Sequence, residues 1–424
     1  MVLFSHPGHQ VTLVYMLWSQ LLIPTLREEP AGCESVAEKL LTRAGYLRES
    51  FRLTLAQRSL HRLRRAMEDR MRALGAQELG GIESASAAAS LARAEIRSYR
   101  QLPQSWYRAD SRGLRLFSFH SDAGSQDCLF EKCSETWLGL FAACGVDPTA
   151  VPAGPGALQF AVTSEAGDAP VAVCSQCGYR ATLDAAVGRA SALTIEDPDT
   201  ESAPEPFHTP GRKTIAEVAE FTGLPAASQM KSLVIVADGE PVLALVRGDH
   251  QMSGTKLSGC VGALEVRPAS AAEIIDWFGA EPGSLGPVGV TKLRIIADVA
   301  LKGRRNMISG ANRTDYHLRN VTPGRDFQPE FADIRRVAAG DRCLTCDAEM
   351  TVQNMAELGR IAKVANTGLK TQGPAGAEIP IPMGSYSLEF EPILRAAAAQ
   401  NHDANGLRLP PGIAPFDVIV TPVN

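Results

Sequence analysis

Two Cys-x-x-Cys pairs, Cys174/Cys177 and Cys343/Cys346, constrain the fold of this chain more than any other feature of its sequence. Two such pairs have the spacing of a tetrathiolate zinc site. They flank a long stretch of chain, and they can meet only if that stretch returns to the place where it began. We therefore expect an inserted, self-contained domain with a structural zinc at its base. The alternative is two reduced thiol pairs that remain after a metal was lost.

Length and composition describe an ordinary globular protein of two or three domains, since 424 residues allow roughly 150 per domain. The net charge of −5 excludes a generally basic nucleic-acid binder, so we expect no DNA partner and only local contact with RNA. No apolar run reaches the roughly 20 residues of a membrane span, and we expect no membrane association. The remaining cysteines have no paired spacing, which favours a reducing, cytoplasmic location. They are Cys33, Cys128, Cys133, Cys144 and Cys260.

The stretch between the cysteine pairs contains a strong β-hairpin signal. The β-rich runs SLVIVA and EPVLALV are separated by Asp238-Gly239, a link that is typical of a tight hairpin turn. Polar residues and a glycine-containing loop, whose backbone N–H groups can approach a ligand closely, follow at the strand ends and beyond. They are Lys231, Arg247, Asp249, His250 and Lys256 near the hairpin, then Gly283, Gly286 and Pro287, then Asn312 and His317.

Two capping boxes predict helices in the same stretch. Thr214-x-x-Glu217 and Ser270-x-x-Glu273 each begin an apolar-periodic run that a glycine ends. We therefore expect helices packed on a mixed sheet, an α/β domain that spans residues 213–330. A Pro- and acid-rich segment at 196–212 is predicted to be the linker that leads into it.

Taken together, the lysine before the first strand, the RGDH turn with its following lysine, the G-x-x-x-P loop and GAN…H resemble a YbaK-type editing domain. Bacterial prolyl-tRNA synthetases carry this domain as an insertion, and it also exists as free-standing aminoacyl-tRNA deacylases. The resemblance implies that the acceptor end of a tRNA is the partner. It also implies which residues of this chain form the catalytic and substrate-binding sites. The catalytic set is Lys231, Gly283, Gly286 and Pro287, and the substrate-binding set is Arg247, Asp249, His250, Lys256, Asn312 and His317.

An aminoacyl ester is already activated, so its hydrolysis needs a positioned water and donors for the oxyanion, and no metal or other cofactor. We expect the Gly283–Pro287 loop to supply backbone donors and Lys231 to act electrostatically. The resemblance implies that the ribose hydroxyl of the substrate assists the water. It also implies a pocket for a small side chain such as alanine, from which proline is excluded by steric clash. Asp249 and His317 are either binding residues or purely structural ones.

Segments outside the insertion resemble the class II catalytic body of prolyl-tRNA synthetases, among them IRSYRQLPQSWY, FSFHSD, MGSYS and LPPGIAPFDVIVTPVN. The predicted fold is therefore α+β, a class II synthetase-like antiparallel sheet body with an inserted α/β YbaK-like editing domain. The body comprises residues 19–195 and 331–424, after an N-terminal extension at 1–18. By the same resemblance the protein could form a homodimer.

The motifs that bind ATP in that family are altered here. The loop with the phosphate-binding arginine is shortened, so that Arg112 or Arg115 would have to replace it. The third motif has Pro392 where an arginine belongs, Arg395 lies one turn further on, and Glu389 brings negative charge to a polyphosphate site. ATP and magnesium would be needed only if ligase chemistry survives.

Three functions follow from these features. The leading interpretation is a hydrolase of mischarged aminoacyl-tRNA, of the Ala-tRNA(Pro) type. The alternatives are an ATP-dependent amino-acid or prolyl-tRNA ligase and a non-catalytic tRNA-binding or regulatory paralogue. The sequence ends at Asn424, where the family would continue into an anticodon-binding domain, so we expect no specific reading of an anticodon.

Overall fold

The computed structural model describes residues 18–192 and 196–419. The predicted N-terminal extension therefore lies outside the described residues except for Trp18. Within the described ranges, no helix combines the length and the apolar character that crossing a membrane requires.

Helices begin and end close to the predicted caps. Thr214 and Ser270 accept hydrogen bonds from backbone N–H groups of the first turn, and Gly223 closes its helix in the left-handed region. The α-helices of the described chain are α1 (Val36–Arg43), α2 (Thr54–Ala73), α3 (Ala85–Glu95), α4 (Ala123–Ala143), α5 (Ile215–Thr222), α6 (Gly254–Val261), α7 (Ala271–Phe278) and α8 (Phe390–Gln400).

Strands fall into three groups along the chain. The first group is β1 (Leu47–Arg48), β2 (Phe51–Arg52), β3 (Gln77–Glu78), β4 (Gln104–Ala109), β5 (Gly113–Phe119), β6 (Thr149–Pro152), β7 (Ala157–Thr163), β8 (Val171–Val173) and β9 (Arg180–Thr182). The second is β10 (Glu205–His208), β11 (Met230–Ala237), β12 (Glu240–Arg247), β13 (Val266–Pro268), β14 (Arg294–Asp298), β15 (Met307–Gly310), β16 (Tyr316–Val321) and β17 (Glu330–Ala332). The third is β18 (Thr351–Gln353), β19 (Met355–Val364), β20 (Lys370–Gln372), β21 (Glu378–Pro380), β22 (Met383–Glu389), β23 (His402–Asp403) and β24 (Gly406–Leu407).

The body is built on a seven-stranded sheet in the order β3-β4-β5-β22-β19-β7-β6, antiparallel except for the β3/β4 pair. Helices α1, α2, α4 and α8 cover one face, because each presents an apolar stripe to it, as with Leu60, Leu63 and Met67 on α2. Trp137 lies fully buried in this core and donates its indole N–H to the Ser387 carbonyl. On the opposite face, α3 packs against Trp106, Phe117 and Phe119 in a second apolar core, and polar side chains lie beside it. This architecture agrees with the predicted antiparallel synthetase-like body.

The insertion is built on a five-stranded mixed sheet in the order β13-β11-β12-β14-β17. Strands β11 and β12 form the predicted hairpin, and both turn residues, Asp238 and Gly239, have positive φ. The β12/β14 and β14/β17 pairs are parallel. The last strand ends at Ala332, two residues beyond the predicted boundary. The insertion is therefore the α/β unit that the capping boxes and the hairpin indicated.

A second, three-stranded sheet, in the order β10-β16-β15, corrects the predicted linker. Residues Glu205–His208 pair antiparallel with Tyr316–Arg319, so the end of the 196–212 segment is a strand of the insertion. The early part of the segment is also attached to the insertion, because Asp197 forms an ion pair with Arg304. A Pro- and acid-rich composition gave no sign of this pairing, which depends on a partner strand far along the chain.

Candidate functional site

The predicted catalytic lysine, the glycine loop and His317 meet at one open cavity of about 590 Å³ in the insertion. Strand β11 contributes Lys231, the loop before β14 contributes Gly283, and β16 contributes His317. The first turn of α5 and strand β15 complete the wall. Three segments that are distant in sequence therefore face the same space.

The loop around Gly286 packs backbone against backbone on Gly310. A Cβ atom on Gly286 would lie 2.0 Å from the Gly310 carbonyl oxygen, and one on Gly310 would lie 2.3 Å from the Leu285 carbonyl oxygen. No side chain fits in either position. Asn312 fixes the arrangement, because its Oδ1 accepts the Gly286 N–H at 2.8 Å and its Nδ2 donates to the Val288 carbonyl at 3.1 Å. Asn312 is therefore a positioning residue of the loop.

The predicted backbone donors need correction in two positions. The N–H of Gly286 is already bonded to Asn312, and Pro287 has no N–H and does not line the cavity. Among the described residues, the N–H groups of Gly283 and Leu285 have no hydrogen-bond partner, and both residues line the cavity. Gly283 and Leu285 are therefore the cavity-lining residues of this loop whose N–H groups remain available as donors.

Lys231 and His317 are each held by one neighbour. The Lys231 ammonium donates to Gln251 Oε1 at 3.1 Å, and Gln251 also lines the cavity. His317 is buried, with Nδ1 2.7 Å from the hydroxyl of Thr209. Burial lowers the pKa of His317, so the ring is neutral near pH 7. A neutral, oriented imidazole suits binding better than electrostatic attraction of a phosphate.

The RGDH turn does not place its charged side chains in the cavity. Arg247 and Asp249 form a bidentate pair with each other, at 2.6 and 2.8 Å. Lys256 donates to both carboxylate oxygens of Asp333 and to the Arg335 carbonyl. His250 is 5% exposed, and burial together with the nearby guanidinium groups lowers its pKa to about 4.

These four residues therefore stabilise the base of the insertion, which corrects their predicted substrate-binding role. The physical reason is the turn into α6, which directs Lys256 towards the β17 end of the sheet, away from Lys231. The cavity is lined instead by Gly248 and Gln251, from the same segment. Gln251 follows His250 directly in the sequence, but a single neutral amide side chain does not indicate a binding site.

The face of the body sheet that α3 partly covers carries a row of polar residues in register across β4, β5, β22, β19 and β7. The row contains three arginines, one serine and one glutamine. Its members are Arg108, Arg115, Ser387, Arg360 and Gln159. Arg108 and Arg360 were not identified from the sequence. Alternation along the strands places them on the same face as Arg115.

The arginines on and beside this face have acidic partners. Arg115 forms an ion pair with Glu389 at 2.7 Å. Arg108 pairs with Glu83 and Asp110, Arg360 with Glu357, and Arg395 with Glu391. Arg112 is exposed on the β4–β5 turn.

A cavity of about 530 Å³ on this face is lined by Glu357, Glu389 and Pro392, with two further aspartates and two arginines. Burial raises the pKa of both glutamates. Carboxylates thus line much of this cavity, and a polyphosphate would need cations there instead.

The four predicted metal ligands lie together. All sulfurs of Cys174, Cys177, Cys343 and Cys346 are within 4.8 Å of one another. The Cys174–Cys346 and Cys177–Cys343 sulfur distances are 3.4 and 3.7 Å. A tetrahedral zinc with bonds of about 2.3 Å requires about 3.8 Å between sulfurs, so the cluster has a suitable size.

The two halves of the cluster have the same local structure. The N–H of Cys174 donates to Tyr179 and that of Cys343 to Ala348, each at 2.8 Å. Backbone N–H groups also bond the sulfur of Cys343 and lower its pKa to about 6, which favours the thiolate form that binds metal. The cluster could therefore hold a metal ion at the base of the insertion.

Comparison with known proteins agrees with both parts of this structure. Residues 209–327 match the family model described as "Aminoacyl-tRNA editing domain". A proline–tRNA ligase from Acidobacterium capsulatum is 33% identical over 96% of this chain and 85% of its own length. The protein from Anaeromyxobacter dehalogenans named proline–tRNA ligase 1 is 34% identical over 95% of this chain and 83% of its own. The chain belongs to the prolyl-tRNA synthetase family.

The prolyl-tRNA synthetase relatives span both halves of the body as well as the insertion, because the matched regions cover nearly the whole chain. A solved structure described as a putative trans-editing enzyme for prolyl tRNA synthetase is also similar. It is 24% identical, with a TM-score of 0.29, and covers 32% of this chain and 87% of its own. The match to the editing-domain model over residues 209–327, the relatives along the whole chain and the two separate sheets agree on a synthetase-like body with an inserted editing domain.

Proposed function

We propose that this chain hydrolyses the ester bond of mischarged aminoacyl-tRNA in the cavity of its editing domain, with a small aminoacyl group of the alanine type as substrate. The observation that supports this most directly is the convergence of Lys231, the Gly283–Leu285 backbone and His317 on one open cavity. The reaction consumes one water, breaks the ester bond and releases the free amino acid and the 3′-terminal hydroxyl of the tRNA.

Each group then has a role that matches its surroundings. The Gly283 and Leu285 N–H groups bond the ester carbonyl and stabilise the oxyanion as water adds. Lys231 attracts the terminal phosphate or ester region of the acceptor end. No aspartate, glutamate or cysteine is among the residues that line the cavity, so the water is positioned by neutral groups and by the substrate. The neutral ring of His317 contributes shape and a hydrogen-bonding edge.

The partners and setting follow from this function. The partner is the tRNA acceptor end, the expected location is the cytoplasm, and a homodimer is the expected assembly of the synthetase body. DNA is not an expected partner. A structural zinc on Cys174, Cys177, Cys343 and Cys346 would hold the base of the insertion, and hydrolysis itself would need no cofactor.

A second function, ligation of proline to tRNA, is supported by the names of the relatives. The altered third motif and the carboxylate partners of the sheet arginines make it the weaker candidate, and it would require ATP and magnesium. A third function is tRNA binding without catalysis. The unbonded N–H groups of Gly283 and Leu285 at the cavity favour catalysis over it, because binding alone needs no donors for an oxyanion.

The test is release of free amino acid from tRNA(Pro) charged with alanine. We expect the Lys231→Ala variant to lose at least tenfold in rate, because the cavity would lose a cation that faces the phosphate-bearing end of the substrate. Lys292→Ala is a matched control, since Lys292 is an exposed lysine of the same domain that does not line the cavity. If the unmodified protein releases no amino acid from any charged tRNA, the proposed function is wrong.

A further inference from the structure

The proposed substrate is much larger than the editing cavity. A cavity of about 590 Å³ has the size of a pocket for one small molecule, so it can hold the aminoacyl group but not the acceptor end of a tRNA. The RNA that leads to the ester must then lie on the surface beside the opening. Its phosphates are negatively charged, and they bind where arginine or lysine side chains are free to pair with them.

Cationic side chains near the opening differ in whether they are already paired. Lys213 forms an ion pair with Glu281 at 2.8 Å, which neutralises much of its charge. Neither Arg212 nor Arg313 has a carboxylate within ion-pair distance in the part of the chain that the structure describes. Arg313 is exposed and Arg212 is half-buried. Two guanidinium groups therefore remain to neutralise phosphates.

Arg212 and Arg313 lie on two segments that are bonded to each other. The Thr209 N–H donates to the Asp315 carbonyl at 2.8 Å, and the Gly211 N–H donates to the Asp315 carboxylate at 3.0 Å. The same segments adjoin the paired strands β10 and β16. These bonds place both arginines on one continuous part of the surface, and they engage the nearby carboxylate of Asp315 with the backbone.

Two rings complete this surface, which we call the arginine patch (His208, Arg212, Arg313 and Tyr316). His208 and Tyr316 are directly opposite each other in the β10/β16 pair, with ring centres 5.0 Å apart. The guanidinium carbon of Arg313 lies 3.8 Å from the centre of the Tyr316 ring. Guanidinium planes and aromatic rings are the groups on which the bases of single-stranded RNA stack. The patch therefore offers charge for phosphates and flat surfaces for bases.

The arginine patch is continuous with the editing cavity. Arg212 directly precedes Lys213 and Tyr316 directly precedes His317, and both Lys213 and His317 line the cavity. An acceptor end whose aminoacyl group enters the cavity therefore has its neighbouring nucleotides within reach of the patch.

We propose that the arginine patch is the surface on which the acceptor end of the tRNA lies, with Arg212 and Arg313 paired to phosphates of its backbone. This inference rests on the proposed deacylase function and adds the place where the RNA binds. Because the whole chain has a net charge of −5, binding of RNA requires a local group of cations of this kind.

The experiment measures how the full chain binds an uncharged RNA microhelix, with the acceptor stem and 3′ end of tRNA(Pro), at several salt concentrations. We expect the double variant Arg212→Glu/Arg313→Glu to bind at least about tenfold more weakly at low salt. The slope of log affinity against log salt should become shallower by about 0.9 for each phosphate contact that is lost. In hydrolysis of alanyl-tRNA(Pro), the same variant should raise KM and leave kcat unchanged, because neither arginine lines the cavity.

The matched control is the double variant Lys292→Glu/Lys302→Glu. Both lysines are exposed, belong to the same domain and lie outside the arginine patch, and the change in net charge is the same. We expect this control to keep the affinity and the salt dependence of the unmodified chain to within about twofold.

The outcomes separate this inference from the function on which it rests. Unchanged binding in the arginine variant would contradict the patch, and so would an equal loss in both double variants, because overall charge would then be the cause. Hydrolysis of alanyl-tRNA(Pro) that the arginine variant leaves unaltered would contradict the patch and leave the deacylase function standing. Binding that depends on the two arginines, without hydrolysis of any charged tRNA by the unmodified chain, would support the patch and remove the deacylase function.

Discussion

At the scale of single residues, the clearest contrast is between polar groups that serve the cavity and those that hold the domain together. Lys231 and Lys256 were both predicted to contact substrate, but only Lys231 faces the cavity, while Lys256 is bonded to Asp333. Sequence spacing could show that polar residues gather near the hairpin. It could not show where each side chain points, because that depends on the turn that follows the strand.

His250 gives a prediction at this scale. Its pKa is about 4 in the folded chain and about 6.5 when exposed, so the unfolded chain takes up the proton first. The residue contributes stability that is fully present above pH 6.5 and is lost as the pH falls towards 4, of the order of 3 kcal/mol at most.

We expect the unfolding free energy, measured by urea denaturation, to fall less between pH 6.5 and 4.5 in His250→Gln than in the unmodified chain. His402→Gln is the control, because His402 is exposed, and should show the same decrease as the unmodified chain. An equal decrease in His250→Gln would show that the imidazole is not responsible.

At the scale of elements, local signals predicted much of the fold. The capping boxes at Thr214 and Ser270 both form, with the glutamate three residues on bonded back to the cap. Strand β10 was missed, since Glu205–His208 contains a proline and lies in an acidic segment. Only pairing with β16 makes it a strand, and such long-range pairing leaves no local pattern.

The cysteine cluster gives a prediction about elements. Strands β8, β9 and β18 form a small sheet next to the cluster, and its apolar core is little more than a few residues. We expect one zinc per chain, and we expect Cys343→Ser to lose the metal and lower stability by about 2 kcal/mol or more.

Metal analysis and thermal unfolding test this, with Cys128→Ser as the control because Cys128 is an exposed cysteine of α4 outside the cluster. A metal-free protein with unchanged unfolding in Cys343→Ser would favour the alternative of relic thiols.

At the scale of the whole molecule, one chain contains two candidate functional sites, one in the synthetase-like body and one in the editing domain. The resemblance predicted both the synthetase-like body and the inserted editing domain, and the comparisons confirm the family and the editing domain. That the ATP motifs are altered stays a prediction from the sequence. The row that joins Arg108, Arg115 and Arg360 became visible only in the sheet register, because these residues are far apart along the chain.

The ion pairs in the synthetase-like body lead to a prediction about the activation of proline by ATP. Since Arg115 is paired with Glu389 and Arg395 with Glu391, few cations remain to neutralise a triphosphate. We expect no proline-dependent exchange of pyrophosphate into ATP in the presence of magnesium. A prolyl-tRNA synthetase with unaltered motifs, assayed in parallel, shows that the assay works. Exchange by this chain would favour the ligase alternative.

The contact between Gly286 and Gly310 has a consequence for how a substrate enters. The two peptide segments touch without intervening side chains, and Asn312 bonds the loop at Gly286 and Val288, so we expect the loop to stay against β15. Access must then depend on the opposite rim, formed by the start of α5 and the side chains of Lys213 and Lys231. We expect the substrate to enter across this open rim, while the glycine side of the cavity stays rigid and supports the bound ester.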